Sequence, residues 1–173
     1  MEQIKRVDIS VRKSSKNGDY VYLIMNILLL FILPLLSIAS ECIVEKESMD
    51  WILIGKWFIF WAIGIRLFTA GIKQSSNPEF TAVKIFKMKS SESFVVIREL
   101  GFANIALGVM GILSVINSNW RILAAITGGL FFGLAGIQHL FKRPDSRNEL
   151  IAMLYDLIVL LMIVLYLVFT LFF

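Results

Sequence analysis

Arg66, Glu99, Gln138, His139 and Asp156 carry the chemistry in this 173-residue chain, because each lies within or beside a long apolar block. An ionisable side chain at membrane depth costs about 2.5–3.5 kcal/mol on insertion scales, and such groups are functional candidates by default. A guanidinium near carboxylates and an imidazole offers three kinds of chemistry. It can form a structural ion-pair network, hold a polar headgroup, or support proton transfer. Asn104 adds an amide to the same polar set.

Other chemistries are excluded by composition. His139 is the one histidine and Cys42 the one cysteine, so the chain cannot assemble a multi-imidazole zinc site, an internal disulfide or a CxxC pair. No glycine loop for phosphate, no GxSxG elbow and no HExxH is present. No metal is expected, and the sequence names no cofactor or substrate.

The elements that must position these residues are membrane helices. The chain is 58% hydrophobic and 17% charged, with a mean hydropathy of +0.79. Its apolar residues fall in five blocks, and about 20 apolar residues suffice for a helix to cross hydrocarbon. The expected fold is all-α, a polytopic bundle of five transmembrane helices over about 20–39, 51–72, 94–116, 121–141 and 150–173. These form a single transmembrane domain, residues 20–173, behind a basic N-terminal segment, residues 1–19. "SIAS" after the first block resembles a cleavage site, but the block exceeds a signal-peptide core and reads as an uncleaved anchor. Pro34 is expected to kink this helix.

The net charge of +4 is better read as topology than as nucleic-acid binding. Lys5, Arg6, Arg12, Lys13 and Lys16 precede the first block. Lys73, Lys84, Lys87 and Lys89 follow the second, and Lys142, Arg143 and Arg147 follow the fourth. The alternate loops and their flanks hold only Lys46, Lys56 and Arg121. The positive-inside rule therefore puts the N-terminus in the cytoplasm and the C-terminus outside. Residues 77–89 start with Asn77 and Pro78, then interleave apolar residues with lysines, as in a helix lying on an anionic membrane surface.

In this frame the polar residues gather in the cytoplasmic half. At 1.5 Å per residue, Arg66 lies about 10 Å from Lys73 and Asp156 about 10 Å into the last span. Arg98 and Glu99 stand at the entrance of the third span, and Gln138 and His139 close the fourth. Arg98 is expected to snorkel, and Glu149 to serve as a capping residue beside Ser146. Ala62 and Ala70 flank Arg66 at helical spacing, which suits a packed face, so a carboxylate partner is expected. Glu99, turned inward, is the first expectation and Asp156 the alternative. Gly101, Asn104, Gly108 and Gly111 share one face, and Ala125, Gly129, Gly133 and Gly136 another. Both stripes read as helix-docking surfaces, with Asn104 making an interhelical hydrogen bond.

Two segments give a family resemblance. "RLFTAGIK", Arg66 to Lys73, and "ELGFANIALGVMG", Glu99 to Gly111, resemble the DoxX-like small membrane proteins over about residues 51–170. The resemblance implies a four-helix bundle, here with an added N-terminal helix. It leaves activity open, because relatives include oxidoreductase accessory subunits, maturation factors and sterol-binding bundles.

The leading functional expectation is a non-enzymatic bundle among membrane lipids, binding a lipid-like or quinone-like amphiphile through this polar cluster. A partner membrane protein or a second copy of the chain is the other occupant considered. One alternative is a membrane enzyme, an isomerase or a quinone-linked oxidoreductase accessory, using Glu99, His139 or Asp156 for proton transfer. The other is a small transporter, which the lack of an inverted repeat or paired broken helices disfavours.

Overall fold

The computed structural model describes residues 20–46, 48–85, 92–142, 144 and 147–172. Every regular element among them is helical. Five helices are long and apolar enough to cross a membrane: α1 (Tyr20–Val44), α2 (Trp51–Ser76), α3 (Ser93–Leu113), α4 (Asn119–Lys142) and α5 (Arg147–Phe172). The protein is an all-α polytopic bundle. The expected basic segment 1–19 and the Ser146 cap lie outside the described residues.

Local chemistry sets the helix ends. α1 continues past Ala39 to Val44 and stops where Lys46 turns to φ 56, the left-handed conformation that ends a helix. Asp50 opens α2 by accepting the Leu53 N–H at 2.8 Å. Asn77 ends α2 and caps the next turn, its Oδ1 accepting the Phe80 N–H at 3.2 Å. The residues after Pro78 form a short π-helical segment, Phe80–Ile85, and Lys73 Nζ lies 4.0 Å from the Phe80 ring centroid. Thr81 and Ala82 in this segment are buried while Glu79, Phe80 and Val83 are exposed. Residues 86–89 of the expected surface helix lie outside the described residues.

α2 is the hub. Its buried Ile59, Ala62, Ile63 and Leu67 meet Leu30 of α1, Ala124, Ala125 and Phe132 of α4, and Tyr155, Val159, Ile163 and Tyr166 of α5. Residues pair in opposite order along neighbouring helices, so sequential helices are antiparallel. Asn26, Ser37 and Glu41 of α1 bond to Arg66, Trp61 and Lys56 of α2. Trp51 stacks on Phe169 of α5 with centroids 4.6 Å apart. The ends of α1 and α2 nearest Tyr20 and Ser76 are called the near end, and those at Val44 and Trp51 the far end.

Hydrocarbon supplies no hydrophobic drive between helices, so close backbone packing must substitute. The α3 stripe docks on α2: a Cβ on Gly64 would lie 2.9 Å from the Gly111 carbonyl carbon, and one on Gly71 would lie 2.6 Å from Gly101 O. The α4 stripe docks on α5, where Gly129, Gly133 and Gly136 receive Ile163, Leu160 and Leu157.

Both α1 and α2 contain a π-helical stretch, Leu28–Ile32 and Ile59–Ile65. The one in α1 ends two residues before buried Pro34, which has no N–H to return to the preceding turn. The shifted register appears as the Leu33 N–H bonding Leu28 O. In α2 the Ala62 carbonyl gains a donor from outside the helix, the Tyr155 hydroxyl at 3.1 Å. These irregular turns leave Asn26 and Arg66 on adjoining helices at comparable depth.

Candidate functional site

Arg66 begins the regular part of α2 after its π-helical stretch. Its Nε donates to Asn26 Oδ1 at 3.3 Å, and its guanidinium carbon lies 5.4 Å from the Tyr155 ring centroid. Asn26 is 5% exposed, and its own amide donates to Tyr22 O at 2.7 Å. That bond fixes the amide so that its carbonyl oxygen faces the arginine. Tyr155 is 3% exposed and held by its hydroxyl on Ala62 O. Thus α1 supplies an acceptor and α5 an aromatic face, an arrangement that satisfies part of a guanidinium.

Asp156, the neighbour of Tyr155, is turned toward α4. Gly136 of α4 faces it, and a Cβ on that glycine would lie 3.5 Å from Asp156 Cβ, an ordinary van der Waals contact. His139 Nε2 is 3.9 Å from Asp156 Oδ2. This distance is an ion-pair separation and too long for a hydrogen bond. Asp156 and Arg66 are not within ion-pair distance of each other.

The other expected members lie elsewhere. Glu99 is exposed, on the face of α3 opposite the glycine stripe that meets α2, and it makes no ion pair with Arg66. The expected inward turn is corrected by helix phase: Gly101, Asn104, Gly108 and Gly111 take the buried face, which turns position 99 outward. Gln138 is exposed as well. Asn104 is buried between α2 and α3, its Nδ2 donating to Gln74 Oε1 at 2.7 Å while its Oδ1 has no partner among the described residues. The six expected residues therefore do not line one cavity. Arg66, His139 and Asp156 share one flank of the bundle, Asn104 sits in another interface, and Glu99 and Gln138 point away.

Asn26, Tyr155 and Gln74 are the partners that sequence reasoning did not assign. The signals were a lone amide inside the first apolar block and the Tyr–Asp pair in the last. Asn26 and Tyr155 also line an apolar groove of about 140 Å³ between α1 and α5, walled by Leu23, Leu30, Leu154 and Ile158. Arg147 lies over the Tyr20 ring at 6.0 Å, joining the same two helices at the near end.

A second polar cluster sits at the far end. Lys56 Nζ donates to both Glu41 oxygens, at 2.6 and 2.8 Å, and Trp57 Nε1 donates to Glu41 Oε2 at 2.6 Å. One turn deeper, Trp61 Nε1 donates to Ser37 Oγ at 2.9 Å. This cluster was not expected, because ending the first helix at Ala39 leaves Glu41 in a loop.

The model of DUF6790, a family of unknown function, matches residues 20–172, and the chain belongs to that family. No curated protein and no solved structure matches it. Nothing in these comparisons links the chain to the DoxX-like proteins.

Proposed function

For this DUF6790 member we propose a non-enzymatic role: binding a small amphiphile with an anionic head in the groove between α1 and α5, with Arg66 as its counter-charge. One observation carries the reading. Arg66 spends a single N–H on a neutral amide and has no carboxylate within ion-pair distance among the described residues. A guanidinium has five N–H donors, and an unmatched charge at membrane depth is costly.

A carboxylate or phosphate head would supply the missing charge in the bidentate geometry that arginine favours. Asn26 and Tyr155 tie Arg66 to the groove, since both touch the arginine and both line the apolar channel. The leucine and isoleucine walls suit an acyl chain. The basic residues at the near end support a cytoplasmic N-terminus, which places this head in the cytoplasmic half of the bilayer.

Native mass spectrometry of the full chain in mild detergent tests the proposal, with oleate, lysophosphatidylglycerol and lysophosphatidylcholine offered at equal concentration. The parent should retain the two anionic amphiphiles, and the stronger of them tells carboxylate from phosphate. Arg66→Gln should lower anionic retention about tenfold, the loss of one charge-assisted contact of about 1.4 kcal/mol or more. Equal retention by parent and variant would overturn the reading.

A further inference from the structure

Arg121, in the first turn of α4, is 6% exposed, the least of any Lys, Arg, Asp or Glu among the described residues. Its Nε is closed off from solvent without a hydrogen-bond partner, and no carboxylate lies within ion-pair distance of it among those residues. Glu41, the largely buried carboxylate of the far end, is already taken by Lys56 and Trp57, so it does not neutralise a second cation. The place compounds the cost. The first turn of a helix is the positive end of its dipole, where a cation is disfavoured. An orphaned buried polar group of this kind calls for a partner such as an ion.

The register of α4 on α5 brings a second orphan to the same depth. Gly129 and Ile163 face each other, since a Cβ on Gly129 would lie 2.8 Å from Ile163 Cγ2. Arg121 lies eight residues from Gly129 on the buried face of α4, and Thr170 lies seven residues from Ile163 on α5. Both spacings are about two turns, so both residues stay on the facing sides and stand about 10–12 Å farther out. Thr170 Oγ1 is closed off from solvent and has no partner among the described residues. A guanidinium fork with a hydroxyl beside it is a donor set for an oxyanion. Arg121 is within one turn of the helix end, so an anion reaches it from the far surface without crossing the core.

We infer that the far end of α4 and α5 holds an oxyanion of the phosphate class, gripped by Arg121 with the Thr170 hydroxyl donating beside it. The anion is a lipid phosphate head or free phosphate. Arg66 lies toward the other end of the bundle, and this site does not depend on the near-end proposal.

Thermal unfolding of the full chain in maltoside micelles tests it. Inorganic phosphate is compared with sodium chloride of equal ionic strength, and lysophosphatidic acid with a monoacylglycerol of the same chain. A phosphate probe should raise the unfolding temperature by several degrees over its control. A rise with both probes marks free phosphate as sufficient, and a rise with the lipid alone marks a membrane lipid. Arg121→Gln should abolish the rise. Arg121→Lys, which keeps the charge and loses the fork, should shrink it and carries the test if the glutamine variant does not fold. Thr170→Val should raise the half-saturating concentration severalfold, and Arg66→Gln should leave the rise in place. No rise in the parent, a rise that both Arg121 variants keep, or one lost in Arg66→Gln would overturn the inference.

Discussion

Gly64 of α2 and Gly111 of α3 lie backbone to backbone: a Cβ on Gly111 would stand 2.6 Å from Gly64 N. Backbone atoms cannot swing aside as a side-chain end can. Gly133 of α4 is different, because a Cβ there would meet Leu160 Cδ1 at 3.1 Å. Alanine in mid-helix gains about 0.8–1.0 kcal/mol in propensity over glycine, whereas overpacking costs about 1–3 kcal/mol. Gly64→Ala and Gly111→Ala should therefore lower the unfolding temperature in detergent by several degrees, and Gly133→Ala should leave it level or raise it. Equal losses at all three positions would show that the α2–α3 contact is not the tighter one.

The glycine spacing made α3's docking face legible in the sequence, but not its partner. That face fits α2 because Gly64 and Gly71 stand opposite it, and α2 presents them only once the helix has a definite phase. The charges were less legible. Arg66 was visible as a charge at membrane depth, and a carboxylate was the natural expectation. In the fold, helix phase turns Glu99 outward, and an amide and an aromatic ring from two other helices take its place. Periodicity within one helix fixes which residues share a face. It does not fix which faces meet, and Asn26 and Tyr155 reach Arg66 from α1 and α5.

Glu41 and Lys56 should behave as one unit. Their side chains are 10% and 21% exposed, so each would leave the other in a poorly solvated place. Removing one partner strands a charge at a cost of about 1–3 kcal/mol, whereas removing both strands none. Glu41→Gln and Lys56→Met should each lower thermal stability, and the double variant should recover part of the loss. Losses that add would mean that the pair is not coupled. High salt should change little, because screening acts mainly on exposed pairs.

The proposed orientation makes a prediction at two loops. Cysteines placed singly at Ser48 and Ser76, with Cys42 replaced by serine, lie at opposite ends of α2. On intact cells a membrane-impermeant maleimide should label position 48, and position 76 only after permeabilisation. The reverse pattern would invert the bundle and move the Arg66 groove to the outer half of the bilayer.

Arg66 and Asn26 should be coupled, and Arg66 and Glu99 should not. The first pair shares a hydrogen bond of 3.3 Å between α2 and α1, and the second has its carboxylate on the outward face of α3. Asn26→Leu removes the one acceptor that faces the guanidinium among the described residues and also the bond to Tyr22 O. A buried donor left without its acceptor costs about 1–3 kcal/mol, so Asn26→Leu should be clearly destabilising. In the Arg66→Leu background much of that cost should vanish, because no guanidinium remains to be satisfied. Glu99→Leu should change stability by less than about 0.5 kcal/mol, as surface substitutions usually do, and by the same amount with or without Arg66. Thermal unfolding of the six single, double and parent proteins in one detergent measures both cycles together. A coupling of about 1 kcal/mol between 66 and 99, with none between 66 and 26, would restore the carboxylate as the partner of Arg66.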